Sequence, residues 1–375
     1  MSSRVWLVLT AVLLTLIVVL RTSSPPYEAI PESDAPITGT ATTAVAESPP
    51  PAVAKAGTAT TRSSRPRTPS NSADLDRERF HQYLSGELQP NKLTFPQLQR
   101  HIDANQQSPE SFLAAFQASG DLYWLTNAAV LHPNDPGVQF AMIVHGGDES
   151  NRQLWLDRFK ASDPNNSLAN YLSAREHFKA GRPEQALEDL VAGASKPVFN
   201  DFTHYDIQSA EEMYRTAGES PIESTILANI QERLPHLQEL RDLSRDLVKL
   251  QGAAAKRNDA QTYNELAAIG VQVGEGLGHS QGVRYLLNDL MGIAIQKQML
   301  QTLQPDANYP FLQTTPQQAI TDLDAHIQRI KTASRSGGDL ANATENEIIT
   351  YFDRTKVHGE LNALEWLAKK QAPHP

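Results

Sequence analysis

The chain has no cysteine. That excludes a disulfide framework, a thiolate nucleophile, an iron–sulfur cluster, a Cys-ligated zinc site and a lipidated N-terminal cysteine, and it leaves the redox compartment unmarked. Long apolar runs are nearly absent too. Only residues 5–20 form one, in a chain of 375 residues with mean hydropathy −0.42, which excludes a polytopic membrane protein. Positive charge is in deficit, with 33 Lys and Arg against 43 Asp and Glu and a net charge of −10. The excess lies after residue 74. A negative body repels polyanions, so nucleic acid and anionic lipid are disfavoured as partners. Strand patterns are also lacking: after Leu75 no alternating run of β-branched and aromatic residues is bounded by a hairpin turn.

What is present divides the chain into parts. Residues 5–20 read VWLVLTAVLLTLIVVL between Arg4 and Arg21. This is slightly short for a spanning helix and slightly long for a signal-peptide core. The flank Arg21-Thr22-Ser23-Ser24-Pro25-Pro26 offers no small-x-small cleavage site. Residues 1–21 are therefore expected to be an uncleaved single-pass anchor, with a cleaved signal peptide as the alternative. Either way the body is expected on the extracytoplasmic, periplasmic side, as an exported soluble protein if the leader is removed. Residues 22–74 hold nine of the 24 prolines among Ala, Thr and Ser. Too little apolar area exists there to offset chain ordering, so a disordered tether is expected, with Arg62, Arg65 and Arg67 as solvated linker charge.

From residue 75 onward the periodicity is helical. Ser220-Pro221-Ile222-Glu223 puts a capping Ser before Pro at the first helical position and Glu three past the cap; Thr315-Pro316-Gln317-Gln318 repeats the pattern and Ser108-Pro109-Glu110 is a weaker version. Apolar residues from Ile222 to Leu250 recur every three or four positions, which predicts one long helix that Pro235 kinks or splits. The stripe is a packing seam, or alternatively a homo-oligomer interface. Gly270, Gly274, Gly276, Gly278 and Gly282 lack the strand, spacing and Lys of a phosphate loop and predict a helix end, a loop and a close helix crossing. Val283 to Leu303 predicts the central helix of a C-terminal bundle.

Residues 163–196 read DPNNSLANYLSAREHFKAGRPEQALEDLVAGASK. Asp163-Pro164-Asn165-Asn166 supplies a turn, Gly181 a helix stop and Ala186 a small contact in the following helix. The segment resembles a tetratricopeptide repeat, with a weaker echo over residues 108–136. Asn170, Ala174 and Gly193 depart from the family's preferences for Trp, Gly and Ala. The resemblance implies stacked helix pairs with a groove, and no particular ligand. The expected fold is therefore all-α: an irregular α-solenoid of such pairs over 75–217 and a longer-helix bundle over 218–375. The residues expected to face a protein-binding groove are Asn170, Tyr171, Ala174, His177 and Phe178.

Catalytic and metal motifs are missing. The chain has no His-Glu-x-x-His, Gly-x-Ser-x-Gly, P-loop or calcium loop, and its 11 histidines are scattered. Glu219-Ser220 resembles the Glu-Ser pair of lytic transglycosylases, but no Gly-Leu-Met-Gln segment follows. No metal, cofactor or catalytic residue is expected. The leading expectation is a membrane-tethered extracytoplasmic scaffold or binding module for a protein partner. One alternative is an envelope hydrolase or lyase whose acids converge only in the fold, with Glu219, Asp206 and Glu211 as conceivable members. The other is a structural homo-oligomer through residues 222–250.

Overall fold

The computed structural model describes residues 82–83, 92–147, 149–336, 340 and 343–372. These residues fall within one unit, Asn71–Pro375. The expected anchor, residues 1–21, and the proline-rich linker, residues 22–74, lie outside the described residues. Among the described residues no helix is long and apolar enough to cross a membrane.

The architecture is all-α. Among the described residues the only β-type contact is an isolated bridge between Asn166 and Val198. Local chemistry sets most helix starts. In α1 (Phe95–Ala104) Thr94 and Gln97 form a capping box, and in α2 (Pro109–Ser119) Ser108 accepts the Ser111 N–H. Asp121 and Asp135 cap α3 (Leu122–Leu131) and α4 (Pro136–His145) in the same way. Next come α5 (Glu149–Ser162), α6 (Ser167–Lys179) and α7 (Pro183–Ala194). The pair α6–α7 coincides with residues 163–196: Asn166 caps α6, Gly181 takes the left-handed conformation between the helices (φ +68°), and Ala186 is fully buried.

Helices α8 (Thr203–Ala217) and α9 (Pro221–Ile230) precede a break. The long helix predicted over 222–250 is split there. The helix stops at Ile230, and Pro235 becomes the first residue of α10 (Pro235–Lys256), where its missing N–H costs nothing. The apolar stripe survives the split: Ile222, Ile226, Leu237, Leu240, Leu243 and Leu247 are all buried within the chain. A homo-oligomer using that stripe would have to open the core.

The glycine-rich segment carries the expected helix end, loop and close crossing: α11 (Ala260–Gly278) runs through Gly270, Gly274 and Gly276 and stops at Gly278, and Gly282 lies in the loop that follows. The partner of α11 is α12 (Leu286–Leu300). A β-carbon on Gly274 would lie 2.6 Å from the Gly292 carbonyl oxygen, and one on Gly292 would lie 2.5 Å from the Gly274 carbonyl. Only paired glycines allow that crossing. The chain ends in α13 (Pro316–Ser336), α14 (Glu345–His358, with a Thr344–Glu347 capping box) and α15 (Glu360–Gln371).

Two large apolar clusters form the core. One joins α4 to α7 with α10, α11 and α12. The other joins α1 to α4 with α8 and α9 and with Ile348, Tyr351, Phe352, Ala363 and Leu367 of α14 and α15. Each of these two clusters draws on residues from both sides of position 217, where the sequence suggests a division. Within the later part of the chain α14 packs on α9 and α15, α15 packs on α13, and Ile293, Ile330, Ala333 and Leu361 form a smaller buried cluster of their own.

Across the faces of α5, α6 and α10 runs an ionic network. Arg152 bridges Glu176 (2.9 Å) and Glu239 (3.4 Å), while Arg175 reaches Asp246 (2.8 Å), Asp242 (3.6 Å) and Glu239 (3.8 Å). Lys179 closes on Glu239 at 3.1 Å. Each acid there has a cation.

Candidate functional site

The same Asp-Pro-Asn-Asn turn that begins α6 also holds a strap, residues 198–203, against the core. Asn166 Oδ1 accepts the Asn200 N–H (3.1 Å), and its Nδ2 donates to the Asn200 carbonyl (2.8 Å). The Val198 N–H donates to the Asn165 carbonyl (3.2 Å), and the Ser167 N–H donates to the Val198 carbonyl (2.7 Å). On its other side the strap is fixed by the Gln281 N–H on the Phe199 carbonyl (2.9 Å) and by the Val283 N–H on Thr203 Oγ1 (2.8 Å). The strap delivers Asp201 into the interior.

Its geometry carries strain. Phe202, a bulky residue, sits at φ +61°, with its ring among Phe140 (5.9 Å between centroids) and Phe159 (5.7 Å). Non-glycine residues in this region cost of order 1 kcal/mol and persist only where surrounding packing imposes them. The approach of Gly282 is equally tight, since a β-carbon there would fall 1.9 Å from Asp201 Oδ1.

Asp201 is fully buried and His236, in the first turn of α10, is 1 % exposed. The Asp201 Oδ1 accepts from the Thr203 hydroxyl (2.8 Å), whereas Oδ2 lies 3.3 Å from His236 Nε2, within ion-pair range but outside hydrogen-bond alignment. His236 Nδ1 has no hydrogen-bond partner. Burial alone would raise the Asp201 carboxyl; His236 and Thr203 outweigh it and hold the group below its usual range.

Beside this pair opens a cleft of about 50 Å³, room for a few water molecules at roughly 10–15 Å³ each. Leu113, Phe116 and Gln117 of α2, Phe140, Val144 and His145 of α4, Asp206 of α8, and Glu232 and Arg233 of the α9–α10 turn line it together with Asp201 and His236. Asp206 is pushed up to about 8 by burial first and then by the negative charges of Asp201, Asp135 and Glu110. Glu232 is raised well above the ordinary carboxylate range by burial and by Asp206 and Asp201, against the opposing pull of the Gln117 amide that donates to it. His145 is pushed down to about 4 by burial and by the charges of Arg233 and His236. Among the described residues no Lys or Arg lies within ion-pair distance of Asp206 or Glu232. Gln117 Oε1 is buried without a partner.

The residues singled out from sequence fall in several places. Asn170, Tyr171 and Ala174 are buried against α7, where a β-carbon on Gly193 would sit 2.8 Å from the Tyr171 ring. They pack helix on helix and leave no groove face. His177 and Phe178 are half-buried, His177 beside Asp189 (3.4 Å) and accepting from Arg182 (3.1 Å). Of the three conceivable acids, Asp206 lines the cleft. Glu211 is paired with Lys356 (3.0 Å), and Glu219 lies just past the end of α8. Glu232, Asp201 and His236 were missed. For Glu232 a signal existed, because the polar trio Gln231-Glu232-Arg233 interrupts the apolar stripe between Ile230 and Leu234.

A second concavity lies on α7, along Glu184, Leu187, Glu188 and Val191; it is open and shallow, and Val191 is 60 % exposed. Among the described residues no three His, Asp or Glu side chains are grouped as metal ligands. No family model matches the chain, and no curated protein or solved structure matches it either.

Proposed function

We propose that this chain is a helical binding module, tethered to the extracytoplasmic face of a membrane through residues 5–20, whose recognition element is the acidic cleft between α2, α4, α8 and the α9–α10 turn. One observation carries the reading: the cleft gathers Asp201, Asp206 and Glu232 in one place without a Lys or Arg ion pair, whereas acids such as Asp246 and Glu211 have an Arg or Lys partner. Uncompensated buried carboxylates destabilise a fold, and a site that receives a ligand is one setting in which they persist. The motifs are short of a catalytic constellation, which favours binding over turnover.

The test uses the full chain in native membranes, with a photo-crosslinking side chain placed at Arg233 on the cleft rim, at Val191 on α7, or at Val357. Specific adducts at Arg233 that vanish in a Glu232→Lys background are the expected result. Equal yields at all three positions count against the cleft as the recognition element. A second reading, acid–base cleavage or elimination of an envelope polymer, is favoured by the raised carboxyls of Asp206 and Glu232, the pattern of a general acid. Turnover by the native chain that is lost in both Asp206→Asn and Glu232→Gln would establish it.

A further inference from the structure

We infer that the cleft takes the head group of a monovalent organic cation, a primary ammonium or a guanidinium. This rests on the binding-module reading above and specifies its ligand chemistry. Charge, size, wall chemistry and hydrogen-bond demand each point the same way.

Charge is the first argument. The groups facing the space are Asp201 and Asp206 from the strap and α8, Glu232 from the α9–α10 turn, and, farther off, Asp135 at the start of α4 and Glu110 on α2. Against them stand Arg233 at the rim, His236 in α10 and His145 on α4. Arg233 makes no ion pair with the cleft acids among the described residues, and His145 is held neutral above about pH 4. An anion or a second carboxylate would meet repulsion; a cation would meet its missing partner.

Size and walls narrow the class. About 50 Å³ admits a few heavy atoms, so a head group enters while the remainder of the ligand stays outside. Phe116 and Phe140 supply aromatic faces that suit an organic cation as well as its attached methylenes. A small hydrated metal ion would instead need several oxygen ligands converging on one point, and no such grouping occurs among the described residues.

Hydrogen-bond demand adds Gln117 and His236 to the acids. Gln117 Oε1 and Asp201 Oδ2 are buried acceptors without hydrogen-bond partners. The His236 ring likewise has Nδ1 without a hydrogen-bond partner. His236 is 1 % exposed and Asp201 is fully buried, and both line the cleft. A surplus of acceptors calls for a donor-rich guest. Ammonium carries three donors and no acceptor, and guanidinium five.

Entry of the cation displaces a proton from the Asp206–Glu232 pair, so affinity should rise as pH increases toward about 8 and level off above it. His145 does not titrate in that window.

Calorimetry on the full chain in nanodiscs provides the test, with n-butylammonium, n-butylguanidinium and the neutral 1-pentanol as probes. The peptides acetyl-Gly-Lys-Gly-amide and acetyl-Gly-Arg-Gly-amide separate a partner's side chain from a free amine as the source. Saturable cation binding at least tenfold tighter than pentanol, stronger at pH 8 than at pH 6, and weakened at least tenfold by Asp206→Asn/Glu232→Gln is the expected result. A thermal melt of the double variant at pH 6 confirms that it folds, and Glu232→Gln alone serves if it does not. Equal binding of pentanol, or indifference to the substitutions, overturns the inference. No cation binding by the native chain, with the Arg233 crosslinks present, refutes the cation class and spares the binding module. Absence of both in the native chain refutes the module as well.

Discussion

The α5–α6–α10 network and the cleft are built from the same residue types and reach opposite outcomes. In the network every carboxylate meets a guanidinium or ammonium, as in Arg175 between Glu239, Asp242 and Asp246, and the side chains keep roughly a fifth of their surface in water. In the cleft three carboxylates crowd one another, and only Asp201 has a neighbour able to hold it ionised. Pairing makes charge structurally inert, whereas crowding leaves a standing demand for a proton or a ligand.

Asp201→Ala sets the comparison at its sharpest. Removing that carboxylate strands the His236 imidazole and the Thr203 hydroxyl in the core, and urea unfolding should show a loss of about 3–5 kcal/mol. A loss under ~1 kcal/mol would mean that the pair is not part of the scaffold. Asp206→Asn should act in the opposite direction. Because the folded pKa is raised to about 8, the native state holds a proton that the unfolded chain releases near pH 4, so stability is fully present below pH 4 and declines as pH rises to about 8. The amide removes that decline, giving about 1–3 kcal/mol of added stability at pH 8 and none at pH 4. His145 runs the other way: its depressed pKa means stability is complete above about pH 6.5 and is lost as pH falls through about 4.

The network should respond more mildly. Arg175→Met is expected to cost about 1 kcal/mol, shrinking in 1 M salt, because Glu239, Asp242 and Asp246 all keep contact with water and retain other cations. Arg245→Ala, whose side chain is 51 % exposed beside Asp242, should change the melting curve by under ~0.5 kcal/mol. If Arg175→Met equals Asp201→Ala in cost, the distinction between the two regions fails.

How far these regions could be read from sequence differs for physical reasons. The starts at Ser108, Ser220 and Thr315 and the break at Pro235 are readable because their chemistry is complete within four residues. The division expected at residue 217 rests on a local change in helix length, whereas the membership of Leu98, Phe112, Ile348 and Leu367 in one apolar cluster joins residues far apart in the chain, which no window of the sequence displays. Asn170, Tyr171 and Ala174 were assigned to a groove because the period of a groove-lining face and that of a helix–helix contact are identical, and only the approach of Gly193 distinguishes them. Asp206 was among the candidate acids, but Asp201 and His236 sit on opposite sides of two intervening helices and leave no local mark.

The Gly274–Gly292 crossing has its own consequence for how this chain can vary. Most crowded contacts can drift by exchange, one side chain growing while its opposite shrinks. Here each α-carbon faces the other helix's carbonyl oxygen, and neither residue has anything left to give up. No compensating swap exists. Any descendant that retains these two helices at this spacing should keep both glycines after its surface, and even its ligand, has changed, so the pair is a marker by which distant kin could be found.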